Sequence, residues 1–304
     1  MRKKEIFLGL IKWRFMMGRG NNPWPKWVET PYKLKPNPSE PGLVITWINH
    51  STVLIQMGGL NILTDPIWSY RASPVSWAGP YRVRQPGIRF EDLPPIDVVL
   101  ISHNHYDHCD IATLKKLEHA HRPLVLAGMQ SKTFLERKGM KNVQEFAHWD
   151  NTVSQDTTFT FVPAQHWSRR TLWDGNKMLW GGFIIQSKNH TVYFAGDTGF
   201  GEFIHGIHEQ FPKIDVALLP IGSYEPRWFM KFSHINPDEA VQIHKILGAH
   251  LSIGIHYRTF RLGDDGYDEP IKDLALARTK YGLKPEDFIT LDLGESVGYT
   301  GKTL

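Results

Sequence analysis

The stretch Ile101-Ser102-His103-Asn104-His105-Tyr106-Asp107-His108 restricts this chain more than any other. It follows the apolar run Val98-Val99-Leu100-Ile101, which reads as a buried strand. His103 and His105 stand two apart, so an extended backbone aims both rings to one side. Asp107 and His108 fall in the turn before an expected helix, with Asp110 as its N-cap. Neutral imidazoles and carboxylates suit borderline divalent ions such as zinc, and catalytic sites keep one position open for water. Four candidate ligands this close can serve two ions. The alternative is a polar loop with chance histidines.

Candidate partners downstream argue against chance. His166 follows the strand-like Thr158–Ala164, Asp197 follows Val192–Gly196, and His256 ends Leu251–Ile255. Each is a ligand-type residue at the C-terminal end of an apolar run, where side chains reach the rim of a sheet. Gly196 gives the backbone before Asp197 room for close approach. Asp65, in Thr64-Asp65-Pro66, ends another such run. It is a candidate to orient a metal-binding histidine, or a plain turn residue.

The rest of the pattern predicts an N-terminal arm, 1–41, and one domain, 42–304. The arm is basic and then proline-rich, from Pro23 to Pro41. Ile6, Leu10, Trp13 and Met17 share one helical face among Lys and Arg, which suits an anionic membrane surface. No run is long enough to span a bilayer and no cleavable export signal is expected. Cys109 is the single cysteine, so no intrachain disulfide forms. The expected location is cytoplasmic, with peripheral membrane association and no secretion. A net charge of +4 fits an anionic partner without choosing between phospholipid and nucleic acid.

Hairpins come first: strands at 43–48, 52–57 and 61–64, with Gly58-Gly59 as a turn. A long loop, 66–96, carries Trp68, Tyr70, Trp77 and Tyr81, and loops of that length are usually functional. Strand–helix alternation follows: strands at 97–102 and 123–127, helices at 110–119 and 130–138. A second half repeats the scheme: strands at 158–164, 180–187, 191–196, 215–220, 251–255 and 288–291, helices at 237–247 and 271–282. Hairpins then alternation, twice over, predict an α/β fold of two packed mixed sheets flanked by helices.

His-x-His-x-Asp-His with His166, Asp197 and His256 resembles the metallo-β-lactamase superfamily. Longer tracts narrow the resemblance. Thr64–Ile67, Arg71–Pro74, Leu93–Asp97, Gln165–Trp167, Arg170–Leu172, Phe194–Gly199 and Tyr224–Lys231 are similar to the N-acyl-phosphatidylethanolamine-hydrolysing phospholipase D family. The likeness covers about residues 43 to 296. Near the first hairpin the family pattern reads Gly-His, and this chain has Asn49-His50.

The resemblance implies a metallo-β-lactamase αβ/βα sandwich with a two-zinc site. One ion takes His103, His105 and His166; the other takes Asp107, His108 and His256; Asp197 bridges them. Iron or manganese could occupy similar ligands. A bridging hydroxide would attack phosphorus, releasing an N-acylethanolamine and phosphatidate. Tyr106 and His234 would hold phosphate oxygens or stabilise charge on them. The implied partners are a phospholipid substrate and a membrane surface, without nucleic acid; a homodimer is open. The competing readings are a hydrolase of a soluble sugar-phosphate lactone or small ester, a nuclease, and a non-catalytic scaffold. The last would usually have lost ligands, and all seven are present.

Overall fold

The run Val98–Ile101 is apolar at every position because it is buried on both faces. In the computed structural model, which describes residues 23–33, 42–299 and 301, Val98 and Leu100 face one core cluster. Val99 and Ile101 face another. The period-2 geometry of a strand requires this split.

The described residues form two seven-stranded sheets. The first holds β1 (Leu43–Asn49), β2 (Thr52–Met57), β3 (Leu60–Thr64), β4 (Val98–Ile101), β5 (Leu124–Gly128), β6 (Val143–Phe146) and β14 (Ser296–Tyr299). Its order is β14-β1-β2-β3-β4-β5-β6. The second holds β7 (Asn151–Ser154), β8 (Thr157–Val162), β9 (Gly182–Gln186), β10 (Thr191–Phe194), β11 (Val216–Pro220), β12 (Leu251–Ile255) and β13 (Phe288–Thr290). Its order is β13-β12-β11-β10-β9-β8-β7. Each sheet is antiparallel through its hairpins and parallel from β3 to β6 or from β10 to β13. Gly58 and Gly59 both take positive φ in the β2–β3 turn, as a two-residue hairpin requires.

Trp47, Ile55, Ile62 and Leu100 of one sheet share a core with Phe161, Phe183, Tyr193 and Leu218 of the other. Helices cover the outer faces. α1 (Ile111–Ala120) and α2 (Lys132–Arg137) put Leu114, Leu117 and Leu135 against Val99, Ile101 and Val125. α3 (Phe203–Gln210), the short α4 (Arg227–Met230), α5 (Pro237–Leu247) and α6 (Glu269–Tyr281) belong to the second half. Asp110 caps α1, accepting from the Ala112 N–H at 3.2 Å. Asn236 and Glu239 form a reciprocal capping box on α5.

Five elements go beyond the sequence expectations. β6, β7 and β14 were not expected as strands, nor α3 and α4 as helices. β6, β7 and β14 are all edge strands, and β7 and β14 alternate exposed and half-buried residues. The 66–96 loop keeps only a 3₁₀ turn at Phe90–Asp92 and isolated bridges. Residues 23–33 are tied to that loop: Val28 N–H donates to Val83 O and Lys33 N–H to Gly87 O. The amphipathic segment expected at residues 6–17 lies outside the described residues. No helix among the described residues is long and apolar enough to cross a membrane.

Candidate metal centre

Strand ends from both sheets meet at one rim. β1 leads into His50, β3 into Asp65 and β4 into Ser102-His103. β10 leads into Gly196-Asp197 and β12 into His256, while His166 lies four residues past β8. A register shift between Trp47 and Asn49 bends the end of β1, as a bulge does. His50 (φ 45°), Asp65 (φ 33°) and His256 (φ 63°) all take left-handed backbone, which is costly for side chains with a Cβ. Gly196 is required at its place: a Cβ there would stand 2.5 Å from the Ser102 Cβ.

Two trios result. His103 Nε2 stands 2.8 Å from His105 Nδ1, which stands 3.2 Å from His166 Nε2. Three nitrogens around one ion at a Zn–N distance of about 2.0–2.1 Å lie about 3.3 Å apart in a tetrahedral site. Opposite them, Asp107 Oδ2 is 3.2 Å from His108 Nε2 and 3.5 Å from His256 Nε2. Asp197 Oδ2 sits between: 3.1 Å from His108 Nε2, 3.2 Å from His256 Nε2, and 3.9 Å from both His103 and His166 Nε2.

The residues present fit metal ions. His108 Nε2, His256 Nε2, Asp197 Oδ1 and His234 Nδ1 are buried without a hydrogen-bond partner among the described residues. Buried polar atoms are almost always partnered, so this group of orphans beside Asp197 fits a bound cation. A dense set of neutral imidazoles and carboxylates also matches the donor chemistry of divalent ions.

The supporting contacts fix which nitrogen each ring presents. Asp65 is fully buried; its Oδ2 accepts from His108 Nδ1 at 2.6 Å and from Ser102 Oγ at 2.5 Å. Its Oδ1 accepts from the Ser102 N–H at 2.7 Å. His166 Nδ1 donates to the Ser233 carbonyl at 2.9 Å. In both cases Nε2 is left bare for a metal. Arg170 brackets the motif, donating to the Asn104 and Cys109 carbonyls at 2.8 and 2.7 Å.

The electrostatics of the two trios differ. Burial drives the first towards neutrality: His105 falls to about 3 and His166 to about 4, with neighbouring imidazoles adding to the fall at His105. In the second, burial is outweighed. Asp197 and Asp107 raise His256 to about 9 and hold His108 well above its ordinary range. Burial opposes ionisation of Asp107 and Asp197 too, but the facing imidazoles keep both well below the usual carboxylate range. Protons therefore sit in the second trio where a cation's charge is wanted.

All seven expected ligands converge at this rim. His234 joins them, with Nδ1 3.9 Å from Asp197 Oδ2 and its ring edge-on to His166. Tyr106 is placed differently. Its hydroxyl donates to the Arg170 carbonyl at 2.8 Å, and the Arg170 guanidinium lies 4.0 Å from its ring centroid. Cys109 is buried against α1, and burial pushes its thiol up to about 11. Sequence reasoning missed His50, which is buried with Nε2 3.0 Å from Asp107 Oδ2. The signal existed: a ligand-type residue ending an apolar strand, as at His256.

A family model described as a β-lactamase superfamily domain matches residues 60–257. The chain is 42% identical over 279 residues to N-acyl-phosphatidylethanolamine-hydrolyzing phospholipase D 1 of Caenorhabditis elegans, covering 84% of this chain and 76% of that protein. It is 35% identical to the mitochondrial N-acyl-phosphatidylethanolamine-hydrolyzing phospholipase D of Saccharomyces cerevisiae, over 79% of this chain and 52% of that protein. Among solved structures, a metallo hydrolase of Ignicoccus hospitalis superposes with a TM-score of 0.65 at 22% identity, covering 86% of this chain and 99% of that one. That likeness concerns the fold alone.

Proposed function

The chain belongs to the β-lactamase superfamily and, within it, to the N-acyl-phosphatidylethanolamine-hydrolysing phospholipase D family of metal-dependent hydrolases, and from that premise we propose that it is a two-zinc phosphodiesterase that cleaves N-acyl-phosphatidylethanolamine to an N-acylethanolamine and phosphatidate. The observation that carries this reading is the placement of Asp197 Oδ2 between a cluster of three imidazole nitrogens and a second trio whose buried nitrogens His108 Nε2 and His256 Nε2 lack partners among the described residues. His103, His105 and His166 would hold one ion, Asp107, His108 and His256 the other, and Asp197 both. Two such ions supply Lewis acidity that activates water and neutralises charge on a phosphodiester.

The chain's own groups do the rest. Asp65 and Ser233 hold His108 and His166 in the tautomer that leaves Nε2 bare. His234 is largely buried, and its Nδ1, buried and without a partner among the described residues, faces the centre. Burial keeps that ring neutral, so one protonated nitrogen can donate to a non-bridging phosphate oxygen. Tyr106, engaged by Arg170, serves the shape of the 104–109 loop.

The surroundings support a lipid substrate and a peripheral membrane partner. Loops 68–81 and 167–179 both reach the motif: Ala72 packs near Tyr106, and the Trp167 ring lies 4.3 Å from that of His105. They carry Trp77, Leu172 and Trp173, each more than three-quarters exposed. Trp228 on α4 and Phe232 just after it are about half-exposed, and the Phe232 carbonyl accepts from Gln165, next to His166. Arg71, Arg169 and Lys231 interleave with these residues. Apolar aromatics interleaved with cations suit an anionic membrane surface better than a soluble lactone.

The test is product analysis by mass spectrometry after zinc-loaded protein meets N-acyl-phosphatidylethanolamine vesicles. The expected products are phosphatidate and free N-acylethanolamine, abolished by a chelator. Turnover that persists in chelator, or release of a fatty acid instead, refutes the reading.

A further inference from the structure

We propose that His50 is a positioning residue for Asp107 and His256, the groups that set the second trio. The inference rests on the metal-centre reading, not on the identity of the lipid. His50 Nε2 lies 3.0 Å from Asp107 Oδ2. The carboxylate has no proton to give, so the ring donates and Nε2 carries the hydrogen. The same residue's carbonyl accepts from the His256 N–H at 3.0 Å. The two imidazoles lie against each other, with ring centroids 4.0 Å apart. One residue thus touches two of the three side chains in that trio.

The fold accepts two costs to keep it there. The φ of 45° is one that residues with a Cβ rarely adopt. His50 Nδ1 is buried without a partner among the described residues, although an imidazole protonated on Nε2 has an acceptor to satisfy there. Costs of both kinds concentrate where geometry serves function. Neighbours hold the ring rather than neutralise it. Phe260 meets it edge-on at 5.2 Å, Thr259 Oγ1 accepts from its backbone N–H at 3.0 Å, and Trp47 Nε1 donates to its carbonyl at 2.8 Å. Among the described residues, the ring's one hydrogen-bond partner is Asp107.

A hydrogen bond from a fixed ring to a ligating carboxylate sets which oxygen and which lone pair face the ion. Shorter donors do not span this gap from the end of β1. Glutamine does, because its amide nitrogen extends about as far as an imidazole Nε2. Phenylalanine keeps the ring and removes the donor.

The experiment is Zn²⁺ stoichiometry and stepwise affinity, by chelator competition, for the full chain and for His50→Phe and His50→Gln. His50→Phe is expected to bind its first equivalent as the parent does and its second about 10- to 100-fold more weakly. His50→Gln is expected to recover most of that loss. Parental affinity for both equivalents in His50→Phe overturns the proposal. So does a loss that glutamine fails to repair. Side-chain ¹⁵N spectra of the zinc-loaded parent decide independently of any variant: a protonated Nε2 on His50 is expected, and a bare, metal-bound Nε2 overturns it. If the parent binds no divalent ion, the metal-centre reading itself has failed instead.

Discussion

Replacing Asp65 by asparagine separates metal affinity from folding stability. The carboxylate accepts three hydrogen bonds, from Ser102 N–H (2.7 Å), Ser102 Oγ (2.5 Å) and His108 Nδ1 (2.6 Å). The amide oxygen of asparagine keeps the first. Ser102 Oγ can keep accepting from His103 Nδ1–H, 2.9 Å away, and accept from the new amide as well. His108 has no such escape. Its Nδ1–H would meet an N–H donor, so the ring must move its proton to Nε2. That is the nitrogen a metal needs bare. The expected loss is about 10- to 100-fold in affinity for the ion held by His108, or roughly 1.4–2.7 kcal/mol. Stability without metal should hardly change. Asparagine is isosteric and tolerates the φ of 33° at this position. Burial also holds the Asp65 carboxyl above its ordinary range, so removing its charge relieves a desolvation cost that offsets the lost ion pair with His108. The metal-free variant should melt within about 2–4 °C of the parent, or ~1 kcal/mol. Chelator competition and thermal melts in excess chelator measure the two quantities. An Asp65→Asn protein that binds both zinc equivalents as tightly as the parent refutes the orienting role of Asp65.

Two further outcomes are expected. His105 and His166, lowered to about 3 and 4, contribute stability that is present above pH 6.5 and lost as pH falls through 6.5 towards those values. His256, raised to about 9, contributes stability that is present below pH 6.5 and lost as pH rises through 9. Metal-free protein should therefore lose a few kcal/mol between pH 6.5 and 9, and zinc, taking the place of the proton, should abolish that fall. A metal-free Tm that climbs across this window would contradict the assignment. At the rim, Trp77→Ala with Trp173→Ala should weaken partition onto anionic vesicles at least tenfold, since burying each side chain is worth about 1.5–3 kcal/mol. Hydrolysis of a monomeric short-chain substrate should be unchanged. Equal partition of parent and variant in a vesicle sedimentation assay would remove these residues from the docking surface.

Most candidate ligands were legible because they follow strands that are largely buried on both faces and so read as mainly apolar runs. β4, β8, β10 and β12 announce themselves in this way. β7 and β14 do not: Asn151–Ser154 and Ser296–Tyr299 are half-exposed edges whose pairing, not composition, makes them strands. α3 carries Gly206 and two histidines in eight residues, a weak helical signal. His50 escaped because Asn-His-Ser reads as turn chemistry, and its partner Asp107 is 57 residues away. The direction of the Tyr106 hydroxyl was equally hidden, being set by Arg170, 64 residues downstream.

The division of the centre between the sheets has a consequence for assembly. His103, His105, Asp107 and His108 follow β4 of one sheet, whereas His166, Asp197 and His256 follow β8, β10 and β12 of the other. Neither half can complete a trio alone. As ligands these residues would form a latch across the seam of the sandwich, and tight capture of an ion would have to await docking of the two halves. In a refolding experiment, zinc uptake would time that docking rather than the formation of either sheet.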